Sequence, residues 1–263
     1  MNAYIKRLAK TLLPDRLYVE LQKLYRRAEQ FLPYSYFNKK IWYFGTSHYC
    51  PICRSHLRTL FPYGRTPRLN ARCPVCGSLE RHRLVFLFLS QRTNLFLPPK
   101  KRMLHMAPEK CLEGIFKKSE FINYVSADLA PYAMLEMDIT DILFPDETFD
   151  VIYVSHVFEH IVDDRKAMRE IFRVIKAGGW AILQVPIKAE VTYEDASVVD
   201  PIERESVFGQ SDHVRIYGKD YYDRLCEAGF TVHRERLKLQ EDPAMAKRLG
   251  LLPNDEVTFC TKA

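Results

Sequence analysis

The chain's seven cysteines and eight histidines are unevenly spaced. Four cysteines form two knuckles, Cys50-Pro-Ile-Cys53 and Cys73-Pro-Val-Cys76, with nineteen residues between them. Two cysteines three apart on a tight turn aim both thiolates at one ion, and a second such turn completes a tetrahedron. Cys50, Cys53, Cys73 and Cys76 are therefore predicted to hold Zn2+. A closed four-sulfur shell leaves no open position, so the metal would be structural. A redox dithiol or two disulfides would be the other use of the same residues. Pro51 and Pro74 stiffen the turns, and Gly77 supplies permissive backbone beyond the second. His48, His56 and His82 lie nearby and are expected at the surface once four thiolates are available. Cys111, Cys226 and Cys260 stand singly in or beside apolar segments, where a thiol behaves as a small hydrophobe.

A second group is built on histidine: His156-Val-Phe-Glu159-His160, and His213 beside Asp212. Neutral imidazole near pH 7 can take a proton from a hydroxyl, which makes His213 the leading candidate general base, with His156 and His160 as further catalytic candidates. H-x-x-E-H is also a reversed zinc-protease pattern, but that chemistry needs a long helix bearing both histidines on one face. Here the motif straddles a strand end and a short helix start. The plainest reading is that Glu159 and His160 cap the helix and line a pocket. Arg215 and Tyr217 are candidates for holding an anionic or sugar acceptor.

The elements that must position these groups alternate in type. Strands are predicted over Arg102–Met106, Phe121–Ala127, Asp150–Ser155, Trp180–Pro186, Phe230–Arg236 and Glu256–Thr261. Helices are predicted over Pro108–Lys118, Asp164–Val174 and Lys219–Ala228. That order implies an α/β fold with a doubly wound, mostly parallel, Rossmann-like sheet. Three regions follow. Residues 1–44 are expected to form a basic amphipathic helical segment, residues 45–100 the zinc ribbon and a helix over 79–92, with Pro98-Pro99 marking a boundary, and residues 101–263 the α/β domain. Leu13, Leu17, Leu21 and Leu24 keep helical spacing with Lys23, Arg26 and Arg27 on the polar side. Such a helix suits an anionic membrane surface, a partner, or the protein's own core.

With 263 residues and 47% hydrophobic composition the chain is a globular protein of one large domain plus an accessory, and 10 glycines and 15 prolines exclude collagen-like or low-complexity classes. The longest apolar run, Leu84–Leu89, is far short of the roughly 20 residues that span a bilayer. No secretory signal is recognisable, so the expectation is a soluble, cytoplasmic protein, membrane-peripheral at most. The net charge of +6 is an average: residues 1–102 carry 20 Lys/Arg and 4 Asp/Glu, which is +16, and the rest is −10. Such asymmetry hints at an anionic partner.

The run Met137-Asp-Ile-Thr-Asp-Ile-Leu-Phe-Pro-Asp-Glu-Thr-Phe-Asp-Val-Ile-Tyr-Val-Ser-His-Val-Phe-Glu-His160, with Glu170-Ile-Phe-Arg-Val-Ile-Lys-Ala-Gly-Gly-Trp-Ala-Ile-Leu-Gln-Val-Pro186, resembles the class I S-adenosylmethionine-dependent methyltransferases of the type 11 kind. Ala177 stands where that family usually has proline. The resemblance implies that Asp128, with Leu129 beside it, takes the ribose hydroxyls of S-adenosylmethionine. It implies that Asp138 and Ile139 serve the adenine, and that Ser155 and His156 lie where donor and acceptor meet. A divalent metal at His156, Glu159 and His160 is a further reading that only this resemblance implies. The first loop, Leu104-His-Met-Ala-Pro-Glu109, departs from the family's acid followed by G-x-G-x-G. His105 stands at the acid, and Ala107 and Glu109 stand at glycines; the three are the expected cofactor loop. Glu109 would contact the donor's cationic end or favour a helix N-terminus, and it would repel a pyrophosphate, which argues against NAD or FAD. Three readings of the whole remain: methylation of a saccharide, lipid-linked or other small acceptor, which is preferred; an RNA methyltransferase gripping phosphates with the basic ribbon; and a non-catalytic interaction protein on a degenerate fold.

Overall fold

The computed structural model describes residues 36–65 and 67–263. The helix expected over residues 13–25 lies outside them. The front end consists of α1 (Tyr36–Trp42), two short antiparallel hairpins, β1 (His48–Cys50) with β2 (Ser55–Leu57) and β3 (Phe61–Tyr63) with β4 (Arg68–Arg72), and then α2 (Glu80–Arg92). Each cysteine knuckle lies at a hairpin end, and α2 leaves directly from the second.

The α/β unit follows: β5 (Lys101–Met106), α3 (Lys110–Lys118), β6 (Ile122–Asp128), β7 (Leu135–Glu136), β8 (Phe149–Ser155), α4 (Asp164–Val174) and β9 (Ile175–Gln184). An inserted layer comes next, with β10 (Ile187–Ala189), β11 (Tyr193–Glu194), α5 (Pro201–Phe208) and β12 (Arg215–Gly218). The chain closes with α6 (Tyr221–Glu227), β13 (Thr231–Glu235), α7 (Pro243–Leu249) and β14 (Val257–Thr261). The main sheet has the order β13-β14-β9-β8-β5-β6-β7. Only β14 runs against its neighbours. The reversal point between β5 and β8 is where a doubly wound sheet opens its ligand crevice.

The central strands are buried on both faces, which is why β8 and β9 carry unbroken apolar runs, Val151–Val154 and Ala181–Leu183. α2 and α3 cover one face, α4 and α6 the other. Helix α4 starts where Asp163 accepts from the Lys166 N–H at 2.9 Å, and it buries Ala167, Met168, Ile171 and Val174 at helical spacing. Among the described residues the predicted strands and helices are present within one to two residues, except that β9 begins at Ile175 rather than Trp180. Gly178 has φ +74°, and the register with β8 slips between Phe149 and Val151, so the strand starts early and bulges around the glycine pair.

The front end shares its core with the sheet. Cys50, Leu57, Leu60, Leu84 and Phe88 join Met103, Val151, Trp180 and Leu249 in one apolar cluster. The seam is closed by α7. Gly250 follows it with φ +62°, and a Cβ there would lie 2.4 Å from Leu60 Cδ1 and 2.6 Å from Arg83 Nη2. Only glycine fits that close, left-handed position. Among the described residues no helix is long and apolar enough to cross a membrane.

Candidate active site and cysteine cluster

The four knuckle cysteines converge. Cys50 and Cys76 sulfurs lie 3.7 Å apart, as do those of Cys53 and Cys73, and all four lie within 4.8 Å of one another. A disulfide needs about 2.05 Å, whereas a tetrahedral site with Zn–S of about 2.3 Å has sulfur–sulfur edges of about 3.8 Å. The donor set and spacing fit zinc. Ser78 Oγ lies 3.3 Å from the Cys50 sulfur and 3.2 Å from that of Cys76, and Ser55 Oγ lies 3.2 Å from Cys53. Arg83 is fully buried beside the cluster and donates to the carbonyls of Ala71, Ser78, Leu249 and Gly250. Zn2+ held by four thiolates would carry a net charge of about −2, so this cation, which has no carboxylate partner among the described residues, would face an anionic centre. His48 and His82, expected at the surface, are buried instead. His48 donates through Nδ1 to the Lys247 carbonyl at 3.0 Å, joining ribbon to α7. His56 lies exposed against Tyr49, ring centroids 5.0 Å apart.

The loop after β5 turns through Ala107, whose φ of +48° is the left-handed conformation that glycine favours. The residue type departs from the glycine pattern while the backbone keeps its geometry. Its N–H bonds to the Ala127 carbonyl at 2.8 Å, holding the loop against the end of β6. His105 sits beneath the loop, fully buried among the rings of Phe116, Tyr124 and Tyr153. It pairs with the Tyr124 hydroxyl at 2.9 Å and accepts from the Glu109 N–H at 3.4 Å. Burial lowers its pKa to about 4, so it is neutral.

Glu109 turns inward. Its carboxylate accepts from His82 Nε2 at 2.6 Å and the Tyr153 hydroxyl at 2.7 Å, with Arg81 at 3.5 Å and Ser155 Oγ at 3.4 Å. Burial raises its pKa, but the His82 hydrogen bond, with Arg81 and Tyr153, more than reverses this and holds the carboxyl down to about 2. The Leu79 N–H donates to His82 Nδ1 at 3.0 Å, which leaves the ring proton on Nε2, facing Glu109. Glu109 thereby ties the first turn of α2 to the sheet.

Asp128 ends β6. Its carboxylate is partly exposed and accepts from the Ala130 N–H at 2.8 Å and the Tyr132 hydroxyl at 2.9 Å. Asp138 is exposed and accepts from the Thr140 N–H at 2.7 Å. Ile139 is buried, while Leu129, at the end of the same sheet, is 62% exposed. An acid at a strand's carboxyl end beside an apolar edge is suited to a ribose and an adenine. Together with the glycine-like backbone at Ala107, this arrangement fits S-adenosylmethionine. The loop between is braced by a pair the sequence displays only as a pattern, Glu170-x-x-Arg173. Glu170 accepts from the Ile142 N–H at 2.9 Å, and Arg173 donates to Glu170 and to the carbonyls of Ile142 and Phe144.

Beyond the ends of β8 and β9 opens a cleft of about 1400 Å3. His156, Glu159, His160 and His213 line it, together with Arg65 and Arg68 from the β3–β4 hairpin region and Glu205 from α5. His156 has φ +56°, and its Nδ1 lies 3.1 Å from Glu159 Oε1. His160 and His213 meet edge to face at 4.6 Å. Asp212, the sequence neighbour of His213, pairs instead with His160 Nδ1 at 3.1 Å. Burial, followed by the nearness of His160, lowers the pKa of His213. Arg215 and Tyr217, expected to hold an acceptor, are buried. Arg215 donates to Glu194 and to the carbonyls of Phe158, Ile161 and Val162, and Tyr217 donates to Asp164 at 2.6 Å. They build the wall behind the cleft. Ser155 is buried at the β8 end. Sequence reading missed Arg83 and the Tyr124 and Tyr153 hydroxyls, because nothing in a local pattern shows that an Arg-His-Arg helix start or a strand tyrosine faces inward.

A family model described as "Methyltransferase domain" matches residues 110–183. No curated protein matches the chain in sequence. Among solved structures the chain is similar to the YcgJ protein from Bacillus subtilis, at 17% identity and a TM-score of 0.45 over 59% of this chain and 71% of that one. It is also similar to an S-adenosylmethionine-dependent methyltransferase from Mesorhizobium loti, at 13% identity and a TM-score of 0.41 over 64% and 94%. The strand order and the family match agree on a methyltransferase domain that includes residues 110–183, preceded in the chain by a four-cysteine cluster.

Proposed function

We propose that the chain methylates a hydroxyl or amine of a neutral, polar acceptor, whether a saccharide, a lipid-linked intermediate or another small molecule, held in the cleft between the front end and the ends of β8 and β9. The observation that carries this choice is how the cleft's arginines are engaged. Arg65 meets Glu205 at 3.2 Å and the Gly209 carbonyl at 2.7 Å, Arg68 meets Glu80 at 2.9 Å, and Arg81 meets Glu109 at 3.5 Å. Gripping a phosphate backbone requires Lys and Arg that can neutralise phosphates. This cleft also carries Glu159, Asp255 and Glu256, so its walls suit an uncharged acceptor better than a polyanion.

When bound, S-adenosylmethionine supplies an electrophilic methyl group on a sulfonium. Asp128 holds the ribose hydroxyls, Asp138 the adenine amino group, and Leu129 and Ile139 the adenine edge. The Ala107 turn lets the backbone approach, with His105 and Glu109 fixing its shape from below and Ser155 closing the floor. Methyl transfer by displacement depends mainly on positioning. His213, kept neutral by burial, or His160, oriented by Asp212, takes the acceptor's proton. His156 turns into the cleft on its left-handed backbone. The cysteine cluster holds structural Zn2+, as suits a protein of the reducing cytoplasm, and residues 1–44 supply any peripheral contact with an anionic surface.

The test is turnover with labelled S-adenosylmethionine against matched acceptors: oligosaccharides, lipid-linked sugars and single-stranded RNA. The proposal expects label on a neutral acceptor and RNA binding that is weak at physiological salt. Label on RNA, with affinity falling steeply as salt rises, would transfer the assignment to the nucleic-acid reading.

A further inference from the structure

We propose that Glu159, His160 and His213 bind a divalent first-row transition-metal ion at the floor of the cleft, distinct from the cysteine cluster. The first observation is a pair of buried polar atoms without partners. Glu159 is 2% exposed and His213 3%, yet Glu159 Oε2 and His213 Nε2 make no hydrogen bond. Buried polar atoms are nearly always paired, because desolvating one without compensation costs about 1–3 kcal/mol. Two in one place, on a carboxylate and an imidazole, point to something that binds both. The second observation is convergence: one ligand atom from each of Glu159, His160 and His213 lies within 4.8 Å of the others.

The surroundings hold these donors in place. Glu159 uses its other oxygen on His156 Nδ1, and His160 uses Nδ1 on Asp212, the carboxylate–histidine arrangement that orients metal-binding imidazoles. The Val214 N–H bonds to the Glu159 carbonyl at 2.9 Å, locking the His213 segment to the Phe158–His160 turn. Arg215 clamps that turn through the Phe158, Ile161 and Val162 carbonyls. Two imidazoles and one carboxylate are the donor set of open divalent sites for Fe, Mn, Co or Zn, with positions left for an exogenous oxygen. All three residues line the cleft, so those positions open into it. Metal binding stands independently of the acceptor reading; an ion held by His160 and His213 takes up the imidazole nitrogens that the metal-free site uses for proton transfer, leaving His156 as the remaining imidazole of the cleft. Only the further step, that the open positions take an oxygen of the acceptor, rests on that reading.

Cobalt(II) separates the two sites. Titrated into metal-free full-length protein, the ion should fill the cysteine cluster with intense thiolate charge-transfer bands, and a second equivalent should bind without them. Glu159→Gln and His213→Gln should weaken the second equivalent more than about 100-fold while the thiolate bands persist, and Asp212→Asn should weaken it about 10- to 100-fold. A single equivalent accounted for by thiolate bands, or a second one that survives both substitutions, would overturn the proposal. If Glu159→Gln fails to fold, His160→Asn gives the same reading from the cleft wall. Binding of S-adenosylhomocysteine by the same samples is measured alongside: its presence without the second metal would remove this site and leave the methyltransferase reading standing.

Discussion

At the scale of single residues, His105 is the least conspicuous and the most constrained. Its pKa falls from 6.5 to about 4 because burial disfavours the cation. Between those values the unfolded chain binds the extra proton and the native one does not. Its share of stability is therefore complete above about pH 6.5 and declines by about 1.4 kcal/mol per pH unit down to 4. The stability difference between wild type and His105→Gln, read from urea unfolding, should shrink by about 2 kcal/mol from pH 7 to pH 5. A pH-independent difference would show that His105 is not buried neutral. Ala107 makes a second residue-scale case. A left-handed alanine is strained by about 1 kcal/mol relative to glycine, so Ala107→Gly should raise stability by about that amount and keep cofactor affinity. Ala107→Val should lower both. The sequence displays an alanine at a glycine position, and only the backbone shows that the glycine geometry survived.

At the scale of elements, most of the fold was legible because parallel strands buried on both faces have few alternatives. β8 and β9 each carry a continuous apolar run, and α4 announces itself with Asp163 and an apolar stripe. The front end was legible in its cysteines and not in its packing. Nothing local to Arg83 or Gly250 indicates that residues more than 160 apart in sequence meet at one seam. Gly250→Ala combines a left-handed backbone with a clash against Leu60 and should cost about 1–3 kcal/mol in chemical denaturation. The Glu170–Arg173 pair tells the same story from the other side: the spacing was visible, its purpose was not. Glu170→Ala removes the acceptor for the Ile142 N–H and should loosen residues 137–146, seen as faster amide exchange there and an approximately tenfold weaker cofactor affinity. In the candidate site Asp128 stands at the strand end where the sequence placed it, while Arg215 and Tyr217 are claimed by groups behind the cleft, which their spacing cannot show.

At the scale of the molecule, the charge asymmetry between the two parts finds much of its use inside the chain. Arg65, Arg81 and Arg92 meet Glu205, Glu109 and Glu235 of the α/β part, and Arg83 and Lys101 are buried against carbonyls. The basic front end is clamped to the acidic domain, and His82 carries that clamp to the cofactor loop through Glu109. Because Leu57 and Leu60 share one core with the sheet and Arg83 bonds to the Leu249 and Gly250 carbonyls, stripping the cysteine cluster of metal should lower the melting temperature of the whole chain in one transition; two separate transitions would show an independent ribbon. The central claim is that the ends of β5, β6 and β8 form a working cofactor site despite the missing glycines. Calorimetric titration of the full-length protein with S-adenosylhomocysteine tests it most directly. The account predicts one bound equivalent, weakened about 10- to 100-fold in Asp128→Ala, as loss of charge-assisted hydrogen bonds requires. No binding heat, or binding unchanged by Asp128→Ala, would contradict it.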